Sequence, residues 1–582
     1  MASKYHVLAN ALAGLLLASG PALAQDSQQD LQKQINALQA QLQAIQKQLA
    51  AQQAATRQVQ AEVRTVPGAS VASVPPGSQV VTVAPDGGVR VGAITVKMGG
   101  FIEAAGIFRS RNETSDVGSS FGSGLPFSDV PSSHLTEFRG TARQSRLSLL
   151  MQGQWNEYTN VSAYFEGDFL GSGISSKNDE SNSYVPRLRQ AYATVDSASG
   201  WHFEAGQAWS LVTQFKDGLV PRDENIPLTI DAQYVPGFNW RRDPQVRLTK
   251  TFSPGFSLAV SLEGPEVDSF GGGGTTGLTE LVTTVPGLSS SGGTLNSGAC
   301  NNVVVNAGTG VNASFPGTQG VTTVNCFSYD IPVAPDMVVK AALDPGWGHY
   351  ELFGLGRFFQ TRSALQLPAL PAAAGTVTGQ TKPDNNITFG GGGGFSFILP
   401  VVPKWLDIQA NGLGGWGIGN YGSAQISDVT TNQLGQPEPI PMLQGMVGAV
   451  AHPAENWDVY FYGGLEKAFA DVFNNDLGQE FGYGVPTANN TGCNVENTTN
   501  AATTATSGAK GTSANLCGGV TGLVWQLTGG FWDRLYKGPA GTVTWGMQYS
   551  FTERELLQGI GGSPKADDNM VFLSFRYYPF SH

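Results

Sequence analysis

Charge is scarce in this chain. Asp, Glu, Lys and Arg make up 13% of its 582 residues, about half the ~25% of an ordinary soluble domain. The net charge of −12 speaks against a nucleic-acid binder, which depends on a basic patch. Long apolar runs are also missing. Beyond one N-terminal stretch, nothing approaches the roughly 20 residues of a helical membrane span, so a polytopic helical membrane protein is excluded. Cysteines number four and fall in no CxxC pattern, which argues against zinc and redox sites. The histidines are scattered, without the HExxH spacing of a zinc site, and no calcium-loop or other cofactor motif occurs. Enzyme motifs are absent apart from the string Gly118-Ser119-Ser120-Phe121-Gly122. A nucleophile elbow needs a strand before it and a helix after it, whereas this string sits in a Gly/Ser-rich stretch.

Glycine and aromatic residues are abundant: 76 Gly, 30 Phe, 16 Tyr and 11 Trp. That aromatic content at low charge excludes a disordered chain. A length of 582 residues fits either several domains or one large all-β barrel with long loops.

The N-terminus points to export. Lys4 and His6 precede an apolar run from Val7 to Leu17, and Ala22-Leu23-Ala24 places small residues before Gln25. This predicts a signal peptide over 1–24. The four cysteines then read as two local disulfides, Cys300–Cys326 and Cys493–Cys517, each closing a polar loop in an oxidising compartment. Within 25–64, Leu31, Ile35, Leu38, Leu42, Ile45 and Leu49 form an a/d heptad stripe, predicting a periplasmic coiled-coil helix. Pro67, Pro75, Pro76 and Pro85 mark 65–94 as an extended linker.

From 95 to 582 the period changes to two. Val161, Ala163, Phe165, Gly167 and Phe169 alternate with Ser162, Tyr164, Glu166 and Asp168, and comparable runs recur to Val571–Tyr577. Apolar-out, polar-in alternation repeated many times is the mark of a transmembrane β-barrel. Seven tight turns, Asn156–Thr159, Ser197–Gly200, Ser253–Gly255, Asp344–Trp347, Val402–Lys404, Pro453–Asn456 and Lys537–Ala540, alternate with eight long connections. Fifteen connections predict sixteen antiparallel strands. The glycine run Gly390–Gly394 is read as the start of a strand.

Chemistry is confined to the lumen face. Alternation turns Gln144, Arg146 and Ser148 inward, as it does Gln245, Arg247 and Thr249, while Arg187 and Arg189 share one face. A lipid-facing arginine at mid-membrane costs about 2–4 kcal/mol, so these cations belong in the water-filled lumen. There they attract anions or simply pair with Glu166, Asp168 and Glu204. The connection Thr213–Asp243 carries Arg241 and Arg242 and is the candidate constriction segment.

Order and spacing of Thr141-Ala142-Arg143-Gln144-Ser145-Arg146, Phe165-Glu166-Gly167-Asp168-Phe169, Arg187-Leu188-Arg189-Gln190-Ala191-Tyr192, Gly206-Gln207-Ala208-Trp209-Ser210 and Gln245-Val246-Arg247 resemble the DcaP-like outer-membrane porins. The resemblance covers about residues 99–252. It implies a homotrimeric porin of the cell outer membrane that passes small organic anions, dicarboxylates in particular, with Arg143, Arg146, Arg187, Arg189 and Arg247 in the channel. The chain departs from that pattern in ending Phe580-Ser581-His582 and in its long cysteine-bearing loops. Two other readings stay open: a general or sugar-type porin with aromatic tracks such as Tyr164, Tyr460 and Tyr462, and a plugged barrel with an adhesive loop surface.

Overall fold

The structure, a computed structural model, describes residues 81–83, 88–113, 115–171, 184–253, 255–268, 303–305, 312–313, 324–325, 333–363, 384–432, 436–474, 480–496 and 517–580. The expected signal peptide, the coiled coil and the Cys300–Cys326 pair lie outside these residues.

Period-two alternation resolves into sixteen strands. They are β1 (Ile94–Arg109), β2 (Glu137–Thr141 and Arg146–Asn156), β3 (Thr159–Asp168), β4 (Arg187–Ser197), β5 (Trp201–Trp209), β6 (Arg242–Ser253), β7 (Phe256–Glu263) and β8 (Asp336–Leu343). The second half is β9 (His349–Ser363), β10 (Asp384–Val402), β11 (Leu406–Trp416), β12 (Pro441–Ala454), β13 (Trp457–Ala468), β14 (Thr521–Gly538), β15 (Gly541–Leu556) and β16 (Lys565–Tyr578). Each pairs antiparallel with its neighbours in sequence, and β16 closes onto β1 through Phe575 opposite Ala104. Closure leaves no unpaired edge, the condition for a sheet to span a bilayer. Before β1, two short strands, Val81–Val83 and Val89–Val91, extend the pairing onto Ile94–Val96. They fall in the segment read as a linker.

All seven tight turns join the expected strands. The alternation also has the expected hand. Along β6, Val246 and Leu248 face outward while Arg247 and Thr249 are buried inside; exposure is 46% at Leu248 and 1% at Arg247. Exposed aromatics mark the turn end of the barrel: Trp155, Tyr158, Trp201, Phe252, Trp347, Trp405 and Tyr536. Such a girdle sits at a membrane–water interface, which makes the seven-turn rim one boundary of the apolar band.

The glycine run needs correction. Gly390–Gly394 lies in the middle of β10, not at its start, and pairs across to Gly354 and Gly356 on β9 and to Gly414 and Gly415 on β11. A Cβ on Gly394 would overlap the ring of Phe353, which fills the space inside.

Cys493 and Cys517 are bonded as expected. The bridge closes part of the long connection between β13 and β14, with Cys493 packed on Leu125, Phe127 and Leu556. A loop of this length is constrained by about 3 kcal/mol in its unfolded ensemble. Reduction is expected to speed proteolysis between the two cysteines while leaving the barrel resistant, as read on a gel time course.

Candidate functional site

The connection between β5 and β6 turns inward and is tied to the lumen wall by strand side chains. Three wall carboxylates accept its backbone N–H groups. Glu263 takes Leu211 at 2.8 Å, Glu351 takes Phe215 at 2.9 Å and Glu466 takes Gly237 at 2.7 Å. Lys340 completes the second anchor, bonding Glu351 at 2.8 Å and the Thr213 carbonyl at 2.8 Å. Farther round the wall, Tyr462 Oη accepts from Leu228 N, and Trp532 Nε1 donates to the Leu228 carbonyl. A small hairpin, with Phe215 opposite Glu224, runs down to Gly218, whose N–H donates to Asp344 at the turn rim. The segment therefore runs deep into the barrel and crosses it. Two glycines permit the crossing: a Cβ on Gly237 of the segment would overlap the Gly445 carbonyl in the wall, and one on Gly464 would overlap the carbonyl of Pro236.

The arginines predicted from sequence separate into groups. Arg146, Arg187, Arg189 and Arg242 gather against β2–β4 and the inward segment. Arg189 bonds Glu166 at 2.6 Å, Asp168 at 3.1 Å and the Tyr234 hydroxyl at 3.3 Å. Arg187 grips Asp168 with two bonds of 2.7 and 2.9 Å, the bidentate geometry only arginine offers. Arg146 approaches Glu166 at 3.6 Å. Arg242 stacks over Trp209 at 4.8 Å and Trp240 at 5.8 Å, and its Nη1 has no hydrogen-bond partner among the described residues. Four guanidiniums thus face two carboxylates. Arg146 and Arg187 keep 20% and 28% of their side-chain surface open, so a solute can reach them.

Backbone irregularities build this cluster. Glu166 pairs with Gln190 and Gly167 with Leu188, so Arg189 is an extra residue in a bulge. A bulge re-aims its side chain, and here Arg189 and Gln190 both turn inside. The break in β2 between Thr141 and Arg146 does the same for Arg143 and Gln144. Both are buried.

Arg143, Arg241 and Arg247 have other partners. Arg143 bonds the carbonyls of Phe169 and Gly171 at 3.0 and 2.8 Å and Asp116 at 3.2 Å, tying the first two long connections together. Arg241 holds Asp243 at 2.8 Å and the Gly264 and Glu266 carbonyls at 3.0 and 2.9 Å. Arg247 lies lower, 3.6 Å from Glu204 and over Phe215 at 5.6 Å. Two features escaped the sequence reading. The wall carboxylates Glu263, Glu351 and Glu466 serve as segment anchors, for which the only signal was an acid at an inward position of its strand. Tyr234 gave no signal at all. It holds φ +69°, a strained conformation outside glycine, and packs edge-on against Trp209 and Phe238.

Burial would raise the Tyr234 hydroxyl, but Arg189, Arg146 and Arg242 outweigh it and bring it down to about 8. Above that pH a phenolate sits among the arginines and removes one of the two excess positive charges. Permeability is therefore expected to shift away from anions between about pH 7 and 9 and to hold steady in Y234F, as reversal potentials across that range will report.

No family model and no curated protein matches the sequence. Among solved structures, the outer-membrane channel DcaP of Acinetobacter baumannii aligns over 84% of this chain and 97% of its own, with TM-score 0.51 and 16% identity. This likeness shows a shared porin-type barrel fold. An anion-selective porin from Comamonas acidovorans covers 83% of this chain and 99% of its own at TM-score 0.36 and 9% identity. Salmonella typhi OmpF, in complex with daunomycin, covers 83% and 98% at TM-score 0.37 and 9% identity.

Proposed function

We propose that this protein is a DcaP-like porin of the outer membrane, through which small organic anions, di-acids foremost, diffuse passively as far as a constriction of arginines. The observation that carries the reading is the cluster of Arg146, Arg187, Arg189 and Arg242 against only Glu166 and Asp168. Its excess of positive charge lies beside the inward segment, which in this reading narrows the passage. An incoming carboxylate exchanges part of its hydration for charge-assisted hydrogen bonds to Arg146 and Arg187. Glu166 and Asp168 keep those bonds from becoming a trap, since conduction needs release as well as entry. In a wet lumen each contact is worth about 1 kcal/mol or less. The net charge of −12 is compatible with this, because the local field at the narrowest point decides selectivity.

In this reading three chains assemble side by side, the heptads of 25–64 join them in the periplasm, and 65–94 links helix to barrel. Liposome swelling tests the transport claim. Proteoliposomes are expected to swell faster in disodium succinate than in erythritol, a neutral solute of similar size. Equal rates would favour a general porin, and no swelling in either would favour a plugged barrel.

A further inference from the structure

Below the arginine cluster, toward the seven-turn rim, lies a second polar layer that the proposed function leaves unused. Glu204 on β5 stands opposite Arg247 on β6 and opposite Thr194 on β4. Tyr192 is two residues above Thr194 and packs at a tilt against Tyr164, ring centroids 5.6 Å apart. Glu224 comes in from the inward hairpin. All four of Tyr192, Glu204, Glu224 and Arg247 are more than nine-tenths buried. They lie within electrostatic reach of one another. Yet six of their polar atoms have no hydrogen-bond partner among the described residues: both oxygens of Glu204, Oε1 of Glu224, the Tyr192 hydroxyl, and Nε and Nη1 of Arg247. Buried side-chain polar atoms are normally satisfied, so a concentration of six points to something that fills the space between them.

The chemistry selects what fits. Two carboxylates face one buried guanidinium, with Arg222 exposed at the hairpin tip. A second anion would meet two like charges there. A primary ammonium has three donors and no acceptor, and two carboxylates and a phenol oxygen can take all three. Burial holds the Glu224 carboxyl up at about 7, which is the state expected of an acid whose counter-charge arrives with a ligand. Spacing sets the length. Arg189 and Tyr192 are three residues apart on one strand, at most about 10 Å at 3.3 Å per residue, shortened by the bulge at Arg189. A solute touching both layers therefore carries its ammonium several methylenes from its carboxylate.

We propose that Glu204, Glu224 and Tyr192 form a second solute subsite, which takes the ammonium end of an ω-amino acid whose carboxylate rests on the arginine cluster. The inference depends on the reading of that cluster as an anion site. Planar-bilayer recording of the full-length channel tests it with three blockers: 6-aminohexanoate, hexanoate and succinate. The amino acid is expected to block wild type at about tenfold lower concentration than hexanoate, as one good ammonium contact would give. E224Q is expected to remove most of that advantage and leave succinate blockade unchanged. E204Q should do the same, with its unchanged succinate blockade confirming that the arginine cluster above it is intact. Equal blockade of wild type by the two six-carbon acids would overturn the subsite, as would a parallel loss of both in E224Q. Wild type that succinate fails to block would overturn the anion reading itself, and this inference with it.

Discussion

The double variant R146Q/R189Q is expected to lose its anion preference and at least about tenfold of its affinity for a di-acid blocker. Removing two of four guanidiniums leaves Arg187 and Arg242 against Glu166 and Asp168, and the local excess of positive charge disappears. The two arginines do different work. Arg146 is loosely paired, 3.6 Å from Glu166, and open to the lumen, so its loss removes a solute contact. Arg189 is closed in and holds both carboxylates and Tyr234. Its loss strands charge, and breaking a buried pair costs about 3–5 kcal/mol. The variant is therefore also expected to unfold at lower temperature than R146Q alone. Heat-modifiability on a gel separates this loss of stability from the loss of selectivity. R187Q should have the smaller effect on stability, because Asp168 keeps Arg189.

The second large effect is expected from Gly464→Leu. The inward segment rests on this glycine so closely that a Cβ would overlap the Pro236 carbonyl. Overpacking of this kind costs about 1–3 kcal/mol, and here the strain falls on the docking of the segment. β13 itself is held by two full ladders, to β12 and to β14, so the segment gives way first. Gly237 N–H then leaves Glu466, and the crossing chain moves off the wall. Single-channel conductance should rise and blockade by succinate weaken, with the barrel still heat-resistant. Unchanged conductance with a properly inserted channel would mean that the segment does not set the width of the passage.

Much of this architecture was legible in the sequence. Strand number, turn positions and lumen register all follow from period-two alternation and from the short–long rhythm of connections. Arg247 between Val246 and Leu248 is the plainest case. The inward course of the segment between the fifth and sixth strands was expected as well, from its place after the fifth strand. What alternation could not reveal is where it fails. Arg189 is a bulge residue and Arg143 sits in a strand break; strict period two, counted from Tyr192 and from Gln144, puts both on the outer face, and only the irregularity turns them inside. Sequence also cannot separate a cation that attracts solutes from one that ties loops. Arg143 and Arg146 stand three residues apart in one motif. One spends its donors on Asp116 and two carbonyls, while the other faces the lumen. That difference rests on the partners brought up by the first and second long connections, which are hundreds of atoms away along neither a helix nor a strand repeat. Tyr234 and the wall acids were invisible for the same reason: their roles exist only once the inward segment lies across the barrel.

The central claim is that the passage selects by positive charge at the arginine cluster. The reversal potential of the inserted channel in a potassium chloride gradient, with succinate then added, tests it most directly. An anion-favouring potential, with current blocked by millimolar-scale di-acid, is the predicted result. A cation-favouring potential that succinate leaves unaltered would contradict the account and leave a wide, unselective pore in its place.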